Sequence, residues 1–231
     1  FRFRVGGMKI FRDGSPQQKT AYLREPYVGG GFGMLEMNED AVLLACRAAA
    51  DERTQLLAHG NGDGAAEVFL NALSRLSAQE RRIIRPVLIH AQILGEDQLG
   101  RMKRLGVIPS FFPAHVLYWG DVHRKNLGRA RAEHISPARS AVAHGLAFTL
   151  HQDTPVCPPD PLEAARCAVL RVTSSGKHFP AEAIDARQAL RARTENAAAQ
   201  YGFRDRGRIS PQLRADFVVL DGDPVRDSGT A

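Results

Sequence analysis

Long apolar runs are missing from these 231 residues: no stretch approaches the roughly 18–20 apolar residues that span a bilayer, so no transmembrane helix is expected. Cysteine is scarce, and Cys46, Cys157 and Cys167 form no C-x-x-C pair. That excludes a disulfide framework and a zinc knuckle, and it fits a reducing cytoplasm. There is no repeat of fixed period and no low-complexity tract. No compact basic run is interleaved with aromatics either, although the formal charge is +6 and the pI about 9.6. The scattered arginines read as a solvated surface, and no nucleic-acid partner is expected. Strong salt-dependent retention on DNA would revive that reading. No signal peptide is visible, and the chain opens Phe-Arg-Phe-Arg without Met, so the natural N-terminus is expected upstream.

What is present is an alternation of short apolar runs with longer helical patterns. Strands are expected at Met8–Phe11, Thr54–Ala58, Arg85–Ile89, Val107–Phe112 (broken by Pro109) and Leu146–Leu150. Helices are expected from Asn38, over 65–76, over Glu96–Leu105 with Gly106 as stop, from Ser136-Pro137 to Gly145, over 161–172 and over 181–199. Between Phe112 and Ile135 the pattern predicts a long irregular segment. Four strand–helix units at this spacing argue for a parallel sheet with crossover helices, half of an eight-unit barrel. After Gly207, the run Ala215–Leu220 reads as a β-strand outside the barrel, which sets the domains at 1–205 and 206–231.

Several of these strands end in residues able to bind metal or move protons: Lys9 near the first, then His59, His90 and Asp153. In a barrel the C-terminal strand ends converge on one mouth, where active sites sit. Imidazole nitrogen suits a borderline metal such as zinc, and a carboxylate adds a hard oxygen. A metal lowers the pKa of bound water to about 7, and a carboxylate beside that water can relay its proton. Singly, each residue is as readily structural: a surface lysine, a strand-end histidine, an Asp capping the next helix. Their shared placement is the signal.

A set of ordered motifs gives that signal a family. The stretch from Gly7 to Ser15 resembles the V-K-I-F-x-D-G-S of the amidohydrolase superfamily, type 3 branch, which includes N-substituted formamide deformylases and D-aminoacylase relatives. His59-Gly60-Asn61-Gly62-Asp63 resembles H-A-N-G-D, and His90-Ala91-Gln92 resembles the motif closing strand six. Residues 150–156 resemble the strand-eight H-x-D-x-P-V. Residues 207–211 and 215–221 resemble the family's closing G-x-I-x-P and A-D-x-V-V-L-D, although Gln212-Leu213-Arg214 replaces its glycine-containing turn.

The resemblance implies an α/β fold: the C-terminal part of a (β/α)8 TIM-like barrel, about strands 4–8, plus a segment of a small β-sandwich. It implies a divalent metal, zinc by preference, as one or two ions. His59 and His90 would hold the more buried metal, and Lys9, carboxylated by CO2, would bridge two. Asp153 would bind the other metal and serve as general base and acid. The implied reaction is hydrolysis of a non-peptide, amide-like C–N bond of a small molecule by metal-activated water. Nothing in the reading calls for a membrane, and it is compatible with a homo-oligomer.

The family's strand-one His-x-His is absent, as are strands one to three, so both are expected upstream. A second reading follows from that gap: a truncated, inactive fragment with a structural or interaction role. On the substrate side, the loop after strand seven offers His115, Tyr118 and Trp119 to orient a carbonyl or stack on an acyl group; packing is the alternative, and the favoured one for Trp119. His151 reads equally as a support for Asp153 or as strand packing. Arg171 and Ser174-Ser175 are the remaining mouth candidates, and His123, His134, His144 and His178 read as surface or helix residues.

Overall fold

The structure, a computed structural model, describes residue 3 and residues 5–226. Five strands form one wholly parallel sheet: β1 (Met8–Phe11), β2 (Leu56–Gly60), β3 (Val87–His90), β4 (Ile108–Phe111) and β5 (Thr149–Leu150). Their spatial order is their chain order, β1-β2-β3-β4-β5. A doubly wound sheet reverses its order at a switch point, whereas a barrel wall adds each strand beside the last. This sheet is a barrel wall.

Register sets its two faces. Met8, Leu56, Ala58, Leu88, Phe111 and Leu150 turn to the crossover helices and form the main core with them. The alternate row carries Lys9, Phe11, Leu57, His59, Ile89 and Ser110 on the inner face, where Phe11 is 56% exposed.

The helices follow local chemistry. In α1 (Glu39–Asp51) the Asn38 side chain accepts from the Ala41 N–H at 3.0 Å, and Glu39 and Asp40 favour the first turn. Asp63–Ser74 forms α2, and a further helix, α3 (Ala78–Ile84), starts on a reciprocal cap between Ser77 and Glu80. Next, α4 (Glu96–Leu105) stops at Gly106, which takes the left-handed φ of 73° that glycine accepts without strain.

Three expectations are corrected here. The segment after Phe112 is helical, as α5 (Ala114–Leu127) and α6 (Arg129–Glu133), because Val116, Gly120, His123 and Leu127 recur at helical spacing and are all buried. Strand β4 runs through Pro109. The Ile108 N–H donates to Pro86 on the β3 side, so Pro109's missing donor would face β5, whose pairing begins only at Ser110–Thr149. Finally, Ala215–Leu220 forms no strand: among the described residues no neighbour offers it a ladder, and Phe217, Val218 and Val219 stand exposed. The last residues of the expected sandwich segment, 227–231, lie outside the described residues.

The C-terminal half carries α7 (Ala138–Ala143), α8 (Pro161–Leu170), α9 (Ala186–Arg193) and α10 (Glu195–Gln200). One helix over 181–199 was expected. Asp185 instead caps α9 with Gln188, and Thr194 (φ −115°, ψ −85°) breaks the chain before α10.

The long connection from Arg12 to Met37 is tied down over the C-terminal end of the sheet. Leu23 and Tyr27 pack with Val116, Leu127 and Ile135, and the Tyr22 carbonyl accepts from the Ala65 N–H at the start of α2. A Cβ on Gly62 would collide with that carbonyl, so the close approach requires glycine.

Candidate metal centre

His90, His151 and Asp153 each bring one ligand atom to a common place at the barrel mouth, all within 4.8 Å of one another. They reach it from the ends of β3 and β5. Register alone would send His90 toward the helices. A left-handed turn at His90 and Ala91 (φ 71° and 46°) sets the imidazole instead against His59, His115 and His151. The turn is held by the Ala91 and Ile93 N–H groups, which donate to Gly60 and Asn61 at the end of β2. Asp153 is also left-handed (φ 53°), a conformation Asp tolerates better than most residues. Strained backbone of this kind clusters at sites that need a side chain aimed.

Sealed atoms without partners show what the site suits. His90 Nδ1 and His151 Nε2 are buried and have no hydrogen-bond partner. The other nitrogen of His151, Nδ1, lies 3.0 Å from the Ser110 hydroxyl, and His90 Nε2 lies 4.0 Å from Asp153 Oδ2. His151, held through one nitrogen with the other left bare, has the habit of a metal ligand, and His90 turns Nε2 toward Asp153. Burial, aided by neighbouring histidines and Lys9, drives His90 well below the ordinary imidazole range. His151 is lowered to about 3, again by burial first and then by Lys9 and Arg193. Both rings are therefore neutral with lone pairs available at pH 7, so this donor set fits a divalent metal.

The other expected ligands stand differently. His59 is close, its ring centroid 4.6 Å from that of His90. Its Nδ1 is sealed without a hydrogen bond, 3.3 Å from Asp13 Oδ1, and Nε2 lies 3.3 Å from the Asn61 amide. Lys9 is on the exposed inner face of β1, its ammonium 4.7 Å from the centre of the Phe11 ring.

Asp13 is the residue that sequence reasoning passed over. Its buried carboxylate accepts from the N–H groups of Tyr22 (3.1 Å), Asn61 (3.0 Å) and Gly62 (2.8 Å), at the start of α2, and it faces His59. One side chain thus ties the loop after β1 to the end of β2. Its neighbour Arg12 is wholly buried over the Phe69 ring and donates to the Ala65 carbonyl.

On the substrate side, His115 is buried and packs on Phe112, Trp119 and His90. Trp119 belongs to a small cluster with Phe112, Cys157 and Cys167. Tyr118 is 41% exposed and donates to Glu163 on α8 at 3.0 Å. Arg171 does not line the mouth: it is buried and donates to the carbonyls of Phe179, Ile135 and Glu133. His134 and His144 pair with Glu182 and Glu96 away from the site.

His123 is not a surface residue. It is fully buried on α5, with Nε2 3.1 Å from His115 Nδ1 and 3.2 Å from the Gln92 amide. Burial lowers it to about 4, against 6.5 for a free imidazole. Between pH 6.5 and 4 the unfolded chain takes up a proton that the folded chain refuses, so stability falls as pH falls through that window. His123→Gln is expected to flatten the slope of stability against pH there by up to about 1.4 kcal/mol per pH unit. Urea titrations of both proteins at several pH values read this out; parallel slopes would contradict a neutral, buried His123.

Comparison with known proteins bears on the family and the fold. The chain matches the amidohydrolase family over residues 2–227. It is 31% identical over 226 residues to YtcJ of Bacillus subtilis (strain 168), which bears the name of an amidohydrolase; the match covers 95% of this chain and 42% of that protein. A metal-dependent hydrolase of uncharacterized function from Pyrococcus furiosus superposes with a TM-score of 0.84 at 28% identity, over 97% of this chain and 46% of that one. A counterpart from Pyrococcus horikoshii OT3 gives 0.85 at 25% identity, over 98% and 46%. This chain thus spans less than half the length of the relatives it matches. It belongs to the amidohydrolase family, in the type 3 branch that its motifs resemble.

Proposed function

We propose that the protein carrying this chain hydrolyses an amide-like C–N bond of a small molecule, with His90, His151 and Asp153 holding a divalent metal at the barrel mouth. The observation that carries the reading is the convergence of one ligand atom from each of these three residues within 4.8 Å of one another. Zinc suits a site of two nitrogens and a carboxylate. When bound, such a metal supplies Lewis acidity and lowers the pKa of a water to about 7.

The chain's own residues do the rest. Asp153, half-exposed at the rim, takes the proton of the attacking water and returns it to the departing nitrogen as the C–N bond breaks. His59, fixed by Asp13 and Asn61, closes the site beside His90 and completes the ligand set once its ring turns or shifts. In a two-metal version of the same centre, Lys9, if carboxylated, would be a further ligand. Trp119 and Phe112 form an apolar wall near His115, fit for the acyl side of a substrate.

A panel of N-formyl and N-acyl amines and amino acids, incubated with the whole gene product, tests the proposal. Hydrolysis of a subset is expected, lost on chelation and regained with added zinc. A fully metallated protein inert toward every amide of the panel, but active on esters or phosphate esters, would overturn the bond class.

A further inference from the structure

The ligand residues His151 and Asp153 alternate along the chain with Leu150 and Gln152, and a single side chain grips these two alternate residues. Arg193, the last residue of α9, donates through Nη1 to the Leu150 carbonyl at 3.0 Å and through Nη2 to Gln152 Oε1 at 2.7 Å. The other end of that amide, Gln152 Nε2, donates to the Pro158 carbonyl at 3.1 Å, just ahead of α8. A guanidinium only donates and a carbonyl only accepts, so both neighbours demand the same orientation of the Gln152 amide. The base of the grip is firm: Ala189 and Ala192 of α9 sit in the main core, and Asp185 caps the start of the helix.

The sheet alone does not aim both ligands. Strand β5 has two residues and, among the described residues, pairs only with β4. Its hold ends at His151, whose N–H donates to the Phe111 carbonyl at 2.9 Å and whose Nδ1 lies 3.0 Å from the Ser110 hydroxyl. Asp153 stands beyond that hold, with a left-handed φ of 53°, and still brings an oxygen to the place shared with His90 and His151. Backbone of this kind persists where its surroundings impose it. Two contacts do so here. The Val156 N–H closes a turn onto the Asp153 carbonyl at 2.8 Å, and the Gln152 amide is held between Arg193 and Pro158.

We propose that Arg193 and Gln152 are positioning residues of the metal centre, clamping the segment between β5 and α8 so that Asp153 is in place beside His90 and His151 before a metal arrives. The consequence for metal binding rests on the metal-centre reading; the clamp itself stands on hydrogen bonds within this chain. A site whose ligands are held beforehand loses less freedom on binding than one whose ligands must be gathered. Charge and geometry predict opposite signs. If Arg193 acted only through its charge, removing that charge would tighten the binding of a cation, because like charges repel. Removing the clamp weakens it. Arg193→Lys keeps the charge without the two-pronged fork, and Gln152→Ala changes no charge at all, so both variants isolate the clamp.

Zinc affinity of the whole gene product, measured by competition with a chromophoric chelator well below the melting temperature, is the first test. Arg193→Lys and Gln152→Ala are each expected to weaken zinc binding on the order of 10-fold. A role in stability alone would lower the melting temperature but leave the affinity of the folded protein unmoved. Affinities within about twofold of wild type in both variants would therefore overturn the proposal. Amide hydrogen exchange of the metal-free proteins, read by mass spectrometry over the segment between β5 and α8, is the second test. Exchange there is expected to quicken in both variants, and a wild-type pattern would overturn the clamp whether or not zinc binds. Gln152 is only partly buried, so Gln152→Ala decides the matter should Arg193→Lys fail to fold. A wild-type protein that takes up no zinc, with the expected exchange response in the variants, would leave the clamp standing and remove the metal-centre reading instead.

Discussion

Asp153→Asn is expected to lower kcat by about 10²- to 10⁴-fold at saturating metal, because the carboxylamide can neither take the proton of water nor return it to the leaving nitrogen. Asparagine keeps the size of the side chain and tolerates the left-handed backbone that residue 153 adopts (φ 53°), so the fold is spared. The variant also exchanges a charged ligand oxygen for a neutral one, so the metal concentration must be raised until the rate stops rising. Steady-state kinetics on the amide identified by the panel provide the measurement. Retention of more than a tenth of the wild-type kcat would remove Asp153 from the proton relay.

The second large effect is structural. Asp13→Ala is expected to destabilise the protein by about 3–5 kcal/mol, the range found when one partner of a buried charged network is deleted. Three N–H groups, those of Tyr22, Asn61 and Gly62, lose their acceptor together, and His59 loses the group facing its Nδ1. The damage falls on the junction of β1, β2 and α2, which places His59 beside His90. Urea denaturation of the two proteins reads the difference directly. A loss under about 1 kcal/mol would mean that water replaces the carboxylate without cost, against the burial seen here. In contrast, Asp13→Asn should recover part of the loss, since its amide oxygen still accepts from one or two of these donors.

Much of this was legible in the sequence for a physical reason. Apolar runs of strand length, each closed by a polar residue, announce a parallel barrel wall, and His90 and Asp153 stand where such runs end. The hidden parts depended on three-dimensional context. The helix α5 was masked because its buried face carries Gly120, His115 and His123 where an apolar stripe was sought. Pro109 looked like a strand breaker because its harmless register became visible only with β5 in place. Ala215–Leu220 has the apolar, β-branched composition of a strand, but a strand exists only against a neighbour. His151 was readable: it lies two residues before Asp153, and period-two spacing puts both on one side of an extended chain. Asp13 lay inside a recognised motif, yet only the fold shows that its carboxylate gathers donors nearly 50 residues away.

The central claim is that this barrel mouth is a metal centre built on His90, His151 and Asp153. Metal content by inductively coupled plasma mass spectrometry, on the gel-filtered whole gene product and on its His90→Ala and His151→Ala variants, tests it most directly. The account predicts at least one equivalent of a divalent metal in the wild type and a loss of 10-fold or more in metal affinity in each variant. A folded wild-type protein that stays metal-free after zinc is added, or variants that retain the wild-type content, would contradict it.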